Sequence, residues 1–563
     1  MTRRSTLTLT ATAGVAALVL AGCSTPAPKP QPVACSGLTT ALTSLGTVRI
    51  TAAKEVPADD KGMPAHCQVN GVANERTGVE GRAYAIGFEM RLPAAWNQRF
   101  LHQVNGGSDG KVVPALGALP IWRVNALQRG FAVISSDAGH RDDDPANKEA
   151  GQSQGEVFGL DPQARRDYGY TANDTMFTVA QALMLSHYGR SPERNYMAGC
   201  SNGGRHGLVA ATRYGDRYDG ILAGAPGFNL PKAAVQHAWD VQSWQMADAD
   251  IRKAFSPADM KLAAAEVLQQ CDALDGATDG LVGDLARCQQ VFKLERLQCS
   301  GEKTAQCLSG NQVKALQRSF AGPRNSRGEM LYSDWSFDAG IGGGNWRFWK
   351  LESQIPPWDK MPLIVARGGG SLSYIFTTPP TRTPGLPAEL LKFLQTFDFD
   401  RDAPKIFATS GIYTESAMAY MAPPDVDNPQ LARFRAKGGK LIVYHGNSDG
   451  VFSVNDTHRW FGRLQANAGG QAAAFSRLYP VPGMAHCSGG PATDQFDALG
   501  ALVAWVEQGQ APAALEAKVN PANPELPANW SKTRSRPLCP WPQVARYTGG
   551  DVESAGSFRC SAP

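Results

Sequence analysis

Acyl-transfer chemistry needs a hydroxyl or thiol nucleophile, a base within hydrogen-bond reach and a group that orients the base. Gly199-Cys200-Ser201-Asn202-Gly203 holds a serine between two glycines. Asn195-Tyr196-Met197-Ala198 before it reads as the end of a buried strand, and residues 206–214 after it read as a helix. In that setting G-x-S-x-G is a sharp turn that lifts the serine hydroxyl above a sheet. Glycines at 199 and 203 let strand and helix approach, and the N–H of Asn202 at the helix start can face a developing oxyanion. Downstream, Lys440 to Gly446 reads as a buried strand that runs into Asn447-Ser448-Asp449-Gly450, a turn carrying a carboxylate. Residues 477–481 read as another strand, leading to Pro482-Gly483-Met484-Ala485-His486-Cys487. Ser201 is thus the expected nucleophile, His486 its base and Asp449 the orienting acid. His445 lies within its strand and reads as a packed histidine. His140 reads as a structural hydrogen-bonder, and Asp456 lies on what reads as a helix after the turn. Phe100-Leu101-His102-Gln103-Val104 reads as a strand running into Asn105-Gly106-Gly107-Ser108. Gly107 is the expected second oxyanion donor, with Gly106 as the alternative and a plain tight turn as the bland reading.

Serine, then acid, then histidine, each at a strand end, is the chain order of an α/β-hydrolase. The fold class is therefore α/β: an α/β-hydrolase core. About two hundred residues separate Gly224-Ala225-Pro226-Gly227 from the strand at Lys440, where a crossover would suffice, so most of them form a large inserted lid domain. The division is 35–227 with 430–563 for the catalytic core and 228–429 for the lid. The lid holds Trp239, Trp244, Trp335, Trp346, Trp349 and Trp358. Such aromatics either bind a planar substrate or form the lid's own core.

Eleven cysteines in 563 residues point away from the cytosol. Arg3-Arg4 and a short apolar run read as a signal peptide over 1–23, ending in the lipobox-like Leu20-Ala21-Gly22-Cys23, with Cys23 the acylated residue. A Pro-rich linker, 24–34, follows. The expectation is an exported protein, a periplasmic or outer-membrane lipoprotein or a secreted one, meeting a membrane only through that anchor. Removing Cys23 leaves ten cysteines. Local spacing suggests Cys35 with Cys67, Cys271 with Cys288, Cys299 with Cys307 and Cys539 with Cys560, although spacing alone does not fix connectivity. Cys200 and Cys487 remain. They flank the nucleophile and the base, and if Ser201 and His486 meet, these two must be close enough to bridge. A net charge of +4 with no basic run argues against nucleic acid as the natural partner. Residues that are 43% hydrophobic and 19% charged suit a packed globule. Between Cys271 and Asp284, the carboxylates of Asp272, Asp275, Asp279 and Asp284 share a glycine-containing loop of oxygen ligands suited to Ca²⁺, though it lacks EF-hand spacing. A solvated acidic loop is the competing reading.

Together, Gly199-Cys200-Ser201-Asn202-Gly203-Gly204-Arg205, Gly224-Ala225-Pro226-Gly227, the Cys271–Asp284 loop, Phe397-Asp398-Phe399-Asp400, Tyr444-His445-Gly446-Asn447-Ser448-Asp449 and Pro482-Gly483-Met484-Ala485-His486-Cys487-Ser488-Gly489-Gly490 resemble the tannase/feruloyl esterase family. Within it, they look most like the branch that hydrolyses mono(2-hydroxyethyl) terephthalate (MHETase-like). The resemblance implies a serine esterase acting on esters of aromatic acids through an acyl-enzyme, with plant phenolic esters (feruloyl esterase or tannase activity) as the alternative. It implies a disulfide joining the residues beside Ser and His. It also implies a structural calcium in the lid, held by Asp272, Asp275 and Asp279 with the carbonyls of Ala277 and Leu281. For the substrate it implies an aromatic wall at Phe452, a lid tryptophan at Trp349 and a carboxylate-binding arginine at Arg367. The chain departs from that branch at Gly368-Gly369-Gly370, where an aromatic is expected, and at Asn202, where an acid is expected.

Overall fold

The computed structural model describes residues 31–41 and 45–563, together with the isolated Thr8. The expected lipid-bearing Cys23, the signal segment apart from Thr8 and residues 24–30 of the linker lie outside the described residues. No described helix is long and apolar enough to cross a membrane.

Nine strands form one sheet. They are β1 (Val48–Val56), β2 (His66–Thr77), β3 (Ala83–Pro93), β4 (Arg99–Gln103), β5 (Ala132–Ser136), β6 (Arg194–Cys200), β7 (Gly220–Gly224), β8 (Lys440–Gly446) and β9 (Ser476–Val481). Their spatial order is β1-β2-β3-β5-β4-β6-β7-β8-β9. The first three form an antiparallel meander that joins β5 antiparallel, and from β5 to β9 every pairing is parallel. Parallel strands are covered on both faces, so apolar residues occupy both sets of alternating positions. On β8, Leu441 and Val443 join one core while Ile442 and Tyr444 join the other. β6 divides the same way, with Met197 on one side and Tyr196 and Ala198 on the other. Helices Ala172–Tyr188 and Asn202–Arg213 pack on the first face through Met176, Val179 and Leu208. Helix Ala498–Gln508 covers the second through Leu499, Leu502 and Trp505. Each such buried side chain contributes about 1.5–3 kcal/mol.

The chain between β7 and β8 adds no strand to this sheet. It is built from helices, including Leu230–Ala247, Pro257–Cys271, Gly310–Phe320 and Gly344–Lys350. Trp244 and Trp346 are fully buried within it. The Lys350 ammonium, buried against Asp240, lies 3.9 Å from the centre of the Trp335 ring. Those tryptophans are core, whereas Trp349 and Trp358 face the cavity described below. After the last helix, β10 (Leu515–Lys518) pairs with β11 (Ser535–Leu538), and β12 (Val544–Tyr547) pairs with β13 (Phe558–Ser561). Five disulfides form with the expected partners: Cys35–Cys67, Cys200–Cys487, Cys271–Cys288, Cys299–Cys307 and Cys539–Cys560.

Candidate active site

Ser201 caps β6 and precedes helix Asn202–Arg213 with φ 66° and ψ −124°. A non-glycine residue in that region costs about 1–3 kcal/mol and survives only where its surroundings enforce it. Here they do. A Cβ on Gly199 would sit 2.5 Å from the Val104 carbonyl oxygen, and one on Gly204 would strike the Gly224 carbonyl. Only bare backbone lets β4, β6 and β7 converge on the turn. His486, on the loop after β9, places Nε2 2.8 Å from Ser201 Oγ and Nδ1 2.7 Å from Asp449 Oδ2. Asp449 follows β8. Its Oδ1 accepts the amides of Val451 and Phe452 at 2.7 and 3.0 Å, which fixes the carboxylate's orientation. Burial would push its carboxyl up, but His486 and His445 outweigh burial and hold it below the usual range. The bridging pair beside these residues, Cys200 and Cys487, has Cα atoms 6.0 Å apart.

The rivals are placed elsewhere. His445 is buried in β8 with Nδ1 2.9 Å from Thr457 Oγ1 and Nε2 3.0 Å from the Phe452 carbonyl, so it braces Asp449's turn. Asp456 lies on helix Val454–Asn467 and accepts from Asn229. His140 is buried beside the backbone of Ser108 and Ala138, whose hydrogen bonds oppose the effect of burial on its ring, although no partner among the described residues meets strict hydrogen-bond geometry. It is stacked on Phe158 with centroids 3.6 Å apart, and burial lowers its pKa to about 3.

Gly107 has φ +64°, and a Cβ there would meet nothing within 4 Å because the residue faces open cavity. Gly106 lies against the nucleophile, its imagined Cβ 3.6 Å from Ser201 Cβ. The Gly106-Gly107 turn and the start of helix Asn202–Arg213 therefore flank the hydroxyl from two sides. A group that the sequence reading missed ties those sides together. Asp109 Oδ2 accepts from Asn202 Nδ2 at 2.7 Å and lies 3.0 Å from His206 Nε2. Arg205, fully buried, donates from Nε to Asn202 Oδ1 at 2.6 Å. Burial drives Asp109 well above the usual carboxyl range, opposed by Arg205 and Asn202, and burial with Arg205's charge keeps His206 neutral. Asn202, where an acid was expected, both donates and accepts in this network.

A cavity of about 380 Å³ opens over Ser201, lined by Trp349, Trp358, Phe452, Leu230, His237 and Arg367 among others. Trp349 and Phe452 stand edge-on to the His486 ring at centroid distances of 5.0 and 5.5 Å. A Cβ on Gly227 would lie 2.4 Å from Phe452, so this glycine makes room for that aromatic wall. Arg367 is one-third exposed, with Nη2 3.0 Å from Oε1 of the fully buried Glu156. Gly368, in the run that departs from the expected aromatic, leaves space for the His237 ring, 2.5 Å from where its Cβ would sit.

The acidic loop is buried and wrapped around its own carboxylates. Asp272 accepts the amides of Asp279 and Gly280, both at 2.9 Å. Burial, with Asp279 and Asp272 nearby, raises Asp275 to about 7. Arg536 pairs with Asp279, and Arg546 pairs with Asp284, which also caps helix Leu285–Val291. Among the described residues, no three His, Cys, Asp or Glu side chains form a metal-binding group by themselves. The donor set still suits a hard cation, because Asp272 and Asp275 are mutually repelling buried oxygens in a loop rich in carbonyls. Those two carboxylates would hold it, with Asp279 shared with Arg536 and with the Ala277 and Leu281 carbonyls. A cation there would tie the loop together.

The family model "Tannase and feruloyl esterase" matches residues 67–561. The chain belongs to the tannase and feruloyl esterase family. A mono(2-hydroxyethyl) terephthalate hydrolase of Piscinibacter sakaiensis is 42% identical over 540 residues, 90% of this chain and 86% of that protein. A probable feruloyl esterase of Arthroderma benhamiae is 28% identical, covering 88% of this chain and 85% of its own. Among solved structures, an esterase from Aspergillus oryzae superposes with a TM-score of 0.72 at 22% identity, covering 94% of this chain and all of that one. A tannin acyl hydrolase from Aspergillus niger gives 0.66 at 19%, covering 94% and 96%. These two structures share the α/β fold of this family member. The chain is a carboxylic ester hydrolase.

Proposed function

We propose that the protein is a serine esterase that hydrolyses esters of aromatic acids through an acyl-enzyme. The observation that carries this reading is the continuous relay Asp449–His486–Ser201 opening into an aromatic-walled cavity. Ser201 Oγ attacks the ester carbonyl as His486 Nε2 takes its proton, and Asp449 stabilises the imidazolium. The oxyanion is held by the amides of Gly107 and Asn202. Collapse breaks the ester C–O bond, and the departing alkoxide takes the proton from His486. Water then attacks the acyl-Ser201 carbonyl with His486 again as base, releasing the acid. Trp349 and Phe452 hold the aromatic ring while Arg367 faces its far end. The 42% identical relative supports a terephthalate monoester as substrate, with Arg367 binding the ring carboxylate. The Glu156 contact to Arg367 favours a second reading, a phenolic ester that carries no charge on the ring. The test is a panel of aromatic esters assayed with wild type and Ser201→Ala. Wild-type turnover and its loss in the variant are expected, and a Ser201→Ala enzyme of undiminished activity refutes the reading.

Ca²⁺ at Asp272, Asp275 and Asp279 is proposed as a brace of the inserted segment. Export is supported by the five disulfides, which are characteristic of oxidising compartments and rare in the cytosol. Lipidation at Cys23 is proposed from the lipobox-like sequence alone.

A further inference from the structure

Glu156 lies in the irregular helical stretch Pro145–Leu160 and is fully buried behind Arg367 and Ser108, two residues that line the catalytic cavity. One carboxylate oxygen, Oε1, pairs with Arg367 at 3.0 Å and accepts from Ser108 Oγ at 3.4 Å. The other, Oε2, has no hydrogen-bond partner among the described residues. A Cβ on Gly370 would come within 3.5 Å of that free oxygen. The second cation at this end, Lys111, is likewise already matched, with Nζ 3.2 Å from Asp142 Oδ2. Both positive groups that line the cavity thus carry a resident counter-ion. Burying a carboxylate is costly unless it is paired, and Arg367 is the charged partner that Glu156 has.

We propose that Glu156 is the specificity-determining residue at the acyl end of the cavity: it occupies Arg367, so that a ring carboxylate must compete with it for the guanidinium whereas an uncharged aromatic ring need not. This rests on the esterase reading above and names the substrate class that reading left divided. With Glu156 ionised, Arg367 already has its counter-ion, and a neutral or phenolic acyl group makes no demand on the guanidinium. A carboxylate entering against Arg367 puts two anions on one guanidinium. That is relieved when Glu156 takes a proton, for which the unpartnered Oε2 is the open position. Burial already pushes the Glu156 carboxyl up, with Asp142 adding to it and Arg367 and Ser108 opposing. The hydroxyls of Tyr168 and Tyr374 are the remaining titratable groups that sense it, and both are themselves raised by burial, so neither supplies charge. His140, neutral and stacked on Phe158, supplies none either. Recognition of a carboxylate is therefore coupled to uptake of one proton, whereas recognition of an uncharged ring is not.

The experiment compares a terephthalate monoester with methyl ferulate on wild type, Glu156→Gln and the Glu156→Gln/Arg367→Ala double variant. Terephthalate serves as competitive inhibitor in the same preparations. Glu156→Gln is expected to lower KM for the terephthalate monoester about tenfold, with kcat and the ferulate KM changed less than about twofold, and Arg367→Ala should erase the gain. Terephthalate inhibition of wild type should tighten as pH falls, by at most about tenfold per pH unit for the one proton taken up, and should be flat in Glu156→Gln. A Glu156→Gln enzyme whose two KM values move together, or whose inhibition by terephthalate keeps the wild-type pH slope, overturns the assignment. Failure of wild type to hydrolyse either ester defeats the esterase reading instead. Undiminished ferulate turnover in Glu156→Gln shows that the variant is folded, and Glu156→Asp should restore wild-type discrimination in part.

Discussion

Replacing Asp449 by Asn tests the relay at the point where geometry leaves least freedom. Asp449 Oδ1 receives two backbone amides, from Val451 and Phe452, so the oxygen of an asparagine must stay there. Its NH₂ group is then forced toward His486 Nδ1, which the native carboxylate meets at 2.7 Å. An amide donor at that position obliges Nδ1 to accept. The ring proton moves to Nε2, the atom 2.8 Å from Ser201 Oγ that has to receive the serine proton. The base is present but in the wrong tautomer. Loss of kcat should be about 10⁴-fold, the scale measured when a triad carboxylate is replaced by its amide, or about 5.5 kcal/mol of barrier at 1.36 kcal/mol per decade. KM should change little, since Asp449 is buried behind His486 and does not line the cavity. Steady-state kinetics on a chromogenic aromatic ester, with circular dichroism to establish folding, reads both quantities. A loss smaller than about tenfold, or one confined to KM, refutes the assignment. His445→Gln is the companion control. It removes a brace 3.3 Å from the same carboxylate without touching the tautomer, so its loss of kcat should be far smaller.

Three other outcomes follow from the structure. Asp109→Asn weakens the tie between the Gly106-Gly107 loop and Asn202; kcat should fall about tenfold to a hundredfold with KM retained, and a transition-state-mimicking boronic acid should bind correspondingly less well. Cys200→Ala/Cys487→Ala should cut kcat at least about tenfold while far-UV circular dichroism at room temperature stays native, and parallel loss of both signals would count against a positioning role. Chelation should lower the melting temperature by several degrees, restored by excess Ca²⁺ but not by Mg²⁺, because a ligand bound only by the folded loop stabilises it by mass action; an unchanged melt would remove calcium from the account.

The sheet and the relay were legible because their signals are local. Leu441-Ile442-Val443-Tyr444 has the two-sided apolar run of a buried parallel strand, and the turn with its carboxylate follows directly. Gly199 to Gly204 spells out a turn that only glycines permit. The Cys200–Cys487 pair was legible because two short-range contexts shared one geometric consequence. What stayed hidden are pairings created by folding across long stretches of chain. Asp109 meets His206 97 residues away, and Glu156 meets Arg367 across the inserted segment. The acidic loop receives Arg534, Arg536 and Arg546 from the C-terminal segment, more than 250 residues further on. No spacing rule links such partners, because the intervening fold sets the distance.

The bridge from Cys200 to Cys487 spans 287 positions and encloses the whole helical segment between β7 and β8. The chain there is a closed ring whose clasp lies beside the catalytic hydroxyl. A protease that severs any exposed connection within that ring yields a nicked molecule whose two fragments still travel as one species, separating only when thiols are added. The segment over the active site can therefore be cut open, circularly rearranged or exchanged for another without releasing the histidine-bearing portion from the serine-bearing portion.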